Sequence, residues 1–178
     1  MKDKKDVKYY NNEFDPMWKI EVEKLIPWFS GKGADVGSGR RSFDSKIIRV
    51  DIDKKVKPDI LASGDALPFK DNELDFICSI HSFEHFEDQK KTLVEWLRVI
   101  KPGGIIGIVH PDIDHTKKQN PVIDAPGLKL NPYNKHWHEN NASSFEDQLE
   151  LWSDLRFSII DRGVACPNWS FYFIIRKN

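Results

Sequence analysis

Acidic residues and glycines follow short apolar runs at several points in the first half of the chain. The segment Asp35-Val36-Gly37-Ser38-Gly39 places two glycines where a backbone can approach a ligand closely. The carboxylate beside them could accept a hydrogen bond from an ammonium group. Asp51 directly follows an apolar run, a position from which an acid commonly binds both hydroxyls of a ribose. These spacings indicate a ligand that contains a nucleoside.

Histidines follow two later apolar runs. The segment His81-Ser82-Phe83-Glu84-His85 comes after the first run, and His110 ends the second. A neutral histidine near its ordinary pKa can take a proton from a hydroxyl group, so we predict His85 and His110 as catalytic residues. A further segment, His136-Trp137-His138-Glu139, could line a pocket for a second ligand or could be a solvated loop.

Apolar periodicity predicts the elements that position these residues. Helical spacing of apolar residues predicts a helix over 15–26, another over 88–100 that ends before Pro102-Gly103-Gly104, and a last one over about 145–155. Short apolar runs predict strands at 34–36, 47–50, 59–62, 74–80, 105–109, 157–161 and 171–175. Strands that alternate with helices indicate an α/β fold with a mostly parallel sheet. Ligands of such sheets bind at the carboxyl ends of the strands, where the polar residues fall.

A series of motifs in this order resembles the class I, Rossmann-like family of S-adenosylmethionine-dependent methyltransferases across about residues 33–110. The motifs are Asp35-x-Gly37-x-Gly39, Val50-Asp51-Ile52-Asp53, Gly64-Asp65-Ala66-Leu67-Pro68-Phe69, Leu74-Asp75-Phe76 and Lys101-Pro102-Gly103-Gly104. The resemblance implies a three-layer domain whose seven-stranded, mostly parallel sheet has helices on both faces and an antiparallel last strand. It also implies the cofactor S-adenosylmethionine and methyl transfer as the activity.

The resemblance assigns residues of this chain to the cofactor. Asp35, Gly37 and Gly39 would flank the methionine moiety, Asp51 would bind the ribose, Asp65 and Ala66 would border the adenine, and Ile80 and His81 would close the site. Ser38 and Ile52 are also assigned to cofactor binding. A subset of the family carries Glu-x-x-Glu-His after the fourth strand and binds a divalent metal. Here His81, Glu84, His85 and His110 are the residues that could form such a mixed nitrogen and oxygen site. We nevertheless expect no metal, because Glu84-His85 also suits packing or helix initiation.

Two departures from the family pattern keep alternatives open. The third glycine of the family would fall at position 41, where this chain has Arg41. Only eleven residues separate Gly39 from Asp51, so the first crossover must be shortened. A protein that binds the cofactor without transferring methyl groups is therefore one alternative. A nicotinamide-dependent oxidoreductase on the same sheet is another, although its third glycine would fall at Ser42.

Length and composition indicate how the chain is divided and which partners it could bind. Its 178 residues, 39% hydrophobic and 31% charged, suit one domain, which we divide into a mobile arm (1–13), a cofactor-binding half (14–110), a substrate-side insertion (111–142) and a C-terminal helix with strands (143–178). The formal net charge of −1 and the scattered lysines indicate no nucleic acid partner. Two distant cysteines and no long apolar run indicate a cytoplasmic protein without membrane segments, and we expect a small-molecule or sugar-like acceptor.

Overall fold

The described part of this computed structural model comprises residues 8–9, 16–119 and 136–178. Most of the predicted arm and residues 120–135 of the predicted insertion lie outside the described residues. The helices are α1 (Pro16–Leu25), α2 (Gln89–Val99), α3 (Ile113–Gln119) and α4 (Ala142–Glu150). The strands are β1 (Lys8–Tyr9), β2 (Gly33–Val36), β3 (Arg41–Ser42), β4 (Ile48–Asp51), β5 (Ile60–Leu61), β6 (Leu74–Ile80), β7 (Ile100–Pro111), β8 (Phe157–Cys166) and β9 (Ser170–Lys177).

Seven of these strands form one sheet in the order β5-β4-β2-β6-β7-β9-β8. The first five are parallel, and β9 runs antiparallel to both β7 and β8. The predicted mostly parallel sheet with an antiparallel last strand is thus confirmed. The chain runs from β2 outward through β4 to β5 and then returns to β6 on the other side of β2. The strand order therefore reverses between β2 and β6, where open α/β sheets bind their ligands.

Helices cover both faces of the sheet. Successive residues of a strand point to opposite faces, so each face presents apolar side chains that pack against helices. On one face, Trp18 and Val22 of α1 pack with Phe76 and Cys78 of β6. On the other face, Ile77 of β6 belongs to the core beneath α2 and α4. The three-layer architecture predicted from the motif resemblance is confirmed.

The first crossover is as short as the sequence predicts. Between β2 and β4 the chain forms only β3, whose Arg41 and Ser42 pair in parallel with Lys8 and Tyr9 of β1. Between β4 and β5 it forms a single 3-10 turn at Lys54–Val56. The β1–β3 pair was not predicted, because two-residue strands are too short to show a periodicity. Lys8–Tyr9, placed in the mobile arm by the sequence, is therefore paired in the structure.

Two further elements differ from the sequence-based expectation. Strand β7 starts at Ile100, and its register against β6 skips from Ile100 to Ile105, so that Lys101-Pro102-Gly103-Gly104 bulges from the strand. Gly103 has a φ of 76°, which explains why a glycine suits this bulge. The predicted insertion begins with α3, which the sequence did not reveal. No helix within the described ranges is long and apolar enough to cross a membrane.

Candidate active site

A first cavity of about 380 Å³ opens at the carboxyl ends of β2, β4 and β6, where the strand order reverses. Six of the ten residues predicted to bind the cofactor line it: Gly37, Gly39, Asp51, Ile52, Ile80 and His81. Asp53, Ser63, Ser82 and His85 add further polar groups to the wall. The structure thus brings together residues that lie up to 49 positions apart in the sequence, from Gly37 to Phe86.

The loop after β2 needs glycine at position 37. Gly37 has a φ of 74°, and its N–H donates to the carbonyl of Val50 at 2.9 Å. A Cβ atom at this position would lie 1.8 Å from the hydroxyl oxygen of Ser82, so any side chain would collide with the segment after β6. Gly39 also has a positive φ, 54°, but a Cβ atom there would meet nothing within 4 Å. A side chain at position 37 would therefore collide with its surroundings, whereas one at position 39 would not.

Asp51 holds this loop and also faces the first cavity. Its Oδ2 accepts a hydrogen bond from the N–H of Gly39 at 2.9 Å, and its Oδ1 accepts one from the N–H of Asp53 at 2.8 Å. An ionised carboxylate can accept about four hydrogen bonds, so each oxygen retains capacity for one more donor. Two adjacent hydroxyls of a ribose would match these two free acceptors. The residue therefore fits the role that its position after β4 predicts.

Asp35 lies beneath the loop and does not line the first cavity. Its side chain is buried, and burial raises the pKa of the carboxyl group to about 7, although the nearby Arg41 and Arg49 act to lower it. Ser38 is buried as well and is also absent from the wall of the first cavity. Asp35 could form an ion pair with an ammonium group only once it has lost its proton, so the strength of any such interaction depends on pH.

Two arginines, Arg49 and Arg41, lie next to this loop. The guanidinium group of Arg49 donates to the carbonyls of Gly39, Val56 and Lys57. Arg41, which occupies the place of the family's third glycine, lies with its guanidinium carbon 5.6 Å from the centre of the Trp18 ring. Because Arg41 lines the first cavity, the departure from the glycine pattern adds a cation to the wall.

The far end of the first cavity is formed by Ala62, Ser63 and Gly64 rather than by the two residues predicted to border the adenine. Asp65 pairs with Lys91 at 2.8 Å and accepts from the hydroxyl of Ser63 at 2.5 Å, and the hydrogen bond from Lys91 lowers its pKa. Ala66 is exposed and lies outside the cavity wall. Asp65 and Ala66 therefore do not line the cavity, and the three residues before them form this part of its wall.

A second cavity of about 280 Å³ adjoins the first and shares Arg41, His81 and His85 with it. Met17, Trp18, Pro111 and Trp169 give it an apolar wall, and Glu21, Glu84, Thr116 and His136 add polar groups. The two cavities thus meet at one cation and two histidines. A ligand in either cavity could therefore contact the same three side chains.

Glu21 and His81 form a close polar contact at the junction. Oε1 of Glu21 lies 2.7 Å from Nε2 of His81 and also accepts from the hydroxyl of Ser170 at 2.6 Å. Glu21 is only 1% exposed, whereas 18% of the His81 side chain is exposed. The contact joins α1 to the carboxyl end of β6. Sequence analysis did not single out Glu21, because an acid within an amphipathic helix usually faces solvent.

Glu84, His85 and His136 form a second polar group on the wall of the second cavity. One ligand atom from each lies within 4.8 Å of the others, and the rings of His85 and His136 are 4.7 Å apart. The N–H of Trp137 donates to the carbonyl of Glu84 at 3.0 Å, which holds the segment of His136 in place. The structure thus groups Glu84 and His85 with His136, not with His110 as the sequence-based metal candidates had it. The expectation that no metal is needed stays a prediction.

His110 lies apart from both cavities. Its ring is fully buried, stacks on Phe171 at 5.2 Å and packs against Phe145 at the same distance. Burial lowers the pKa of His110 and so favours the neutral imidazole. The prediction of His110 as a catalytic residue rested on its place at the end of a central strand, and the structure turns its side chain into the core. His85, the other predicted catalytic residue, lines both cavities.

Trp169 is the clearest residue of the second cavity that sequence analysis missed. It lies in the turn between β8 and β9, and β9 pairs antiparallel with β7 so that Ser170 faces Pro111. A hairpin whose second strand runs antiparallel to a parallel sheet must place its turn at the carboxyl edge of that sheet. The predicted antiparallel last strand therefore contained the signal that could have found Trp169.

Comparison with known proteins adds a family to this geometry. A family model described as a methyltransferase domain matches residues 30–108. A demethylmenaquinone methyltransferase of Renibacterium salmoninarum is 38% identical over 185 residues, an alignment that covers 88% of this chain and 78% of that protein. An uncharacterised protein of Methanocaldococcus jannaschii is 33% identical over 174 residues, covering 85% of this chain and 78% of the other.

Solved structures agree with this fold. A crystal structure of an S-adenosylmethionine-dependent methyltransferase from Aquifex aeolicus superimposes with a TM-score of 0.61 and 13% sequence identity. The superposition covers 89% of each chain. At this identity the likeness concerns the fold alone.

Proposed function

Because this chain belongs to the class I family of S-adenosylmethionine-dependent methyltransferases, we propose that it transfers a methyl group to a small molecule that carries a hydroxylated ring. The cofactor supplies a methyl group on a positively charged sulfur. The first cavity is the proposed cofactor site, and the second is the proposed acceptor site. The observation that carries the proposal is their shared junction at Arg41, His81 and His85.

The residues of the first cavity fit the cofactor. Asp51 retains two acceptor positions for the hydroxyls of a ribose, and the bare backbone at Gly37 and Gly39 permits close approach of a ligand. Asp35, Ser38, Asp65 and Ala66 lie outside the wall, so we assign them an indirect role in shaping the loop and the far end of the cavity. The chain's task at this site is to bind and orient the methyl donor, since positioning supplies most of the acceleration in such an in-line transfer.

The second cavity favours a compact acceptor with a flat ring. Its volume suits a small ligand rather than a polymer, and the half-buried Trp169 offers an indole surface on which an aromatic or sugar ring can stack. The carboxylates of Glu21 and Glu84 can accept hydrogen bonds from hydroxyl groups of such a ring, and the imidazole of His136 can donate or accept one. The name of the Renibacterium relative, a demethylmenaquinone methyltransferase, supports an aromatic ring as the first choice.

A methyl-transfer assay tests this proposal. The purified protein is incubated with S-adenosylmethionine labelled in the methyl group and with a panel of 1,4-naphthohydroquinone, catechol and common monosaccharides. We expect label to enter at least one ring compound. We also expect Asp51→Ala to reduce the transfer at limiting cofactor at least tenfold, because it removes a charged hydrogen-bond acceptor. Asp154→Asn, which changes an exposed acid paired with Lys90, is the matched control and keeps the wild-type rate. The absence of label in every member of the panel would contradict the proposal.

A further inference from the structure

His81 has an unusual backbone conformation at the junction of the two cavities. It is not a glycine, yet its φ is 52°, and its N–H donates to the carbonyl of Val109 at 3.0 Å. A left-handed conformation is strained for such a residue and persists only where the surrounding structure enforces it. Here it directs the imidazole towards Glu21 of α1 and leaves it on the wall of both cavities.

The hydrogen bond with Glu21 determines which ring nitrogen of His81 carries the proton. Oε1 of Glu21 accepts from the hydroxyl of Ser170 at 2.6 Å, and Nε2 of His81 lies 2.7 Å from the same oxygen. A carboxylate can only accept, so Nε2 carries a hydrogen and donates. In the neutral imidazole Nδ1 is then the unprotonated nitrogen. Among the described residues, no hydrogen-bond partner of Nδ1 is found.

Charged groups face His81 from α1, from the 3-10 turn Phe83–His85 and from β3, and the titratable rings of His110 and His136 also interact with it. Glu21 of α1 and Glu84 of the 3-10 turn Phe83–His85 favour the protonated ring, whereas Arg41 of β3 disfavours it. Burial lowers the pKa of His81, but the hydrogen bond and the charge of Glu21 outweigh it, so the pKa is raised above its ordinary value of 6.5. A base whose pKa lies close to the working pH transfers protons most efficiently.

We infer that His81 is the general base that takes the proton from a hydroxyl group of the acceptor, and that Glu21 is the positioning residue that holds its ring. The inference rests on the proposed function. The hydroxyl oxygen forms a bond to the methyl carbon, and the bond from that carbon to sulfur breaks with its electron pair on sulfur. The proton of the hydroxyl group passes to Nδ1 of His81. The carboxylate of Glu21 stabilises the imidazolium that results, as the acid does in carboxylate–histidine pairs of other enzymes.

The other histidines of the site are less well placed for this role. The contact between Nε2 of His85 and Oε1 of Glu84 is 3.9 Å long, against 2.7 Å for the contact between His81 and Glu21. His110 lines neither cavity. His81 therefore replaces His85 and His110 as the base in this account, although the sequence alone favoured those two.

Nuclear magnetic resonance tests the arrangement without an acceptor. Long-range proton–nitrogen correlation spectra of the full chain, recorded from pH 5 to 9, report the tautomer and the pKa of each histidine. We expect neutral His81 to carry its proton on Nε2, and we expect Glu21→Gln to lower the pKa of His81 while the pKa of His115 stays unchanged. A proton on Nδ1, or a pKa of His81 that does not respond to Glu21→Gln, would overturn the inference.

The dependence of the rate on pH tests the catalytic role with the hydroxylated panel compound that the wild type methylates. His81→Gln should lower kcat by about 10²–10⁴-fold, the usual contribution of a general base, with little change in KM for S-adenosylmethionine. Glu21→Gln should shift the ascending limb of the profile of kcat to lower pH, which a purely structural defect would not do. His115→Gln, outside both cavities, is the control and keeps the wild-type profile.

The outcomes separate this inference from the proposed function. If the wild type methylates the compound and His81→Gln retains its rate, the base is not His81, and loss of rate in His85→Gln would then identify His85. A wild type that methylates no hydroxylated compound would overturn both the inference and the proposed function. Affinity for S-adenosylhomocysteine, measured for each variant, shows that the first cavity is intact.

Discussion

At the scale of single residues, Asp35 links the pH to the stability of the fold. Its carboxyl group has a pKa of about 7 in the folded chain, against 3.8 in the unfolded chain, because it is buried. Between these two values the folded state keeps a proton that the unfolded state has released. Raising the pH through this window therefore lowers the free energy of unfolding, and above about pH 7 the penalty is constant.

The variant Asp35→Asn should remove this dependence. Between pH 5 and pH 7 the free energy of unfolding of the wild type falls by about 1.36 kcal/mol for each of the two pH units. We therefore expect Asp35→Asn to gain about 2–3 kcal/mol in free energy of unfolding relative to the wild type when the pH is raised from 5 to 8. Urea denaturation at the two pH values measures this. An equal difference between variant and wild type at both would show that Asp35 is ionised throughout.

At the scale of elements, the loop between β2 and β3 distinguishes two glycines that look alike in the sequence. Gly37→Ala places a Cβ atom against Ser82 in a backbone conformation that side chains disfavour, so we expect it to destabilise the fold by at least 3 kcal/mol and to abolish cofactor binding. Gly39→Ala meets open space and has only the conformational cost of about 1–2 kcal/mol.

Chemical denaturation and titration with S-adenosylhomocysteine compare the two variants. Gly39→Ala is the matched control, because it makes the same substitution two residues away at a similar φ. If both variants lose the same free energy of unfolding, the close approach between Gly37 and Ser82 does not determine which side chains position 37 tolerates.

Sequence patterns predicted β6 and α2 well, found only part of the long strands β7 and β8, and missed several of the shortest elements. Strand β6 and helix α2 each bury a continuous apolar run or stripe, and such patterns leave a clear trace in the sequence. The strands β1 and β3 have two residues each, and α3 has seven, too few for a period to appear.

The site was predicted in part, for a related reason. Asp51 ends β4 and Gly37 directly follows β2, so their place at the carboxyl edge followed from the order of the elements. Glu21 and Trp169 reach the site only through packing of α1 and the β8–β9 turn on the sheet. A linear pattern does not record such contacts. Asp65 and Ala66 were displaced from the wall because the turn at 62–64 occupies the place they were assigned.

At the scale of the whole molecule, ligand binding should stabilise the fold by mass action. S-adenosylhomocysteine at about a hundred times its Kd should add about 2.7 kcal/mol to the free energy of unfolding. For a chain of this size that corresponds to a rise in Tm of about 5–11 °C. Differential scanning calorimetry measures the shift, and NAD at the same concentration is the control that should leave Tm unchanged. A rise with NAD and none with S-adenosylhomocysteine would favour an oxidoreductase.

The central claim is that the first cavity binds the methyl donor through Asp51, and isothermal titration with S-adenosylhomocysteine tests it most directly. We predict one site per chain, at least tenfold weaker binding by Asp51→Ala, and unchanged binding by Asp154→Asn, an exposed acid remote from both cavities. Absence of binding by the wild type, or equal affinity in Asp51→Ala, would contradict the account.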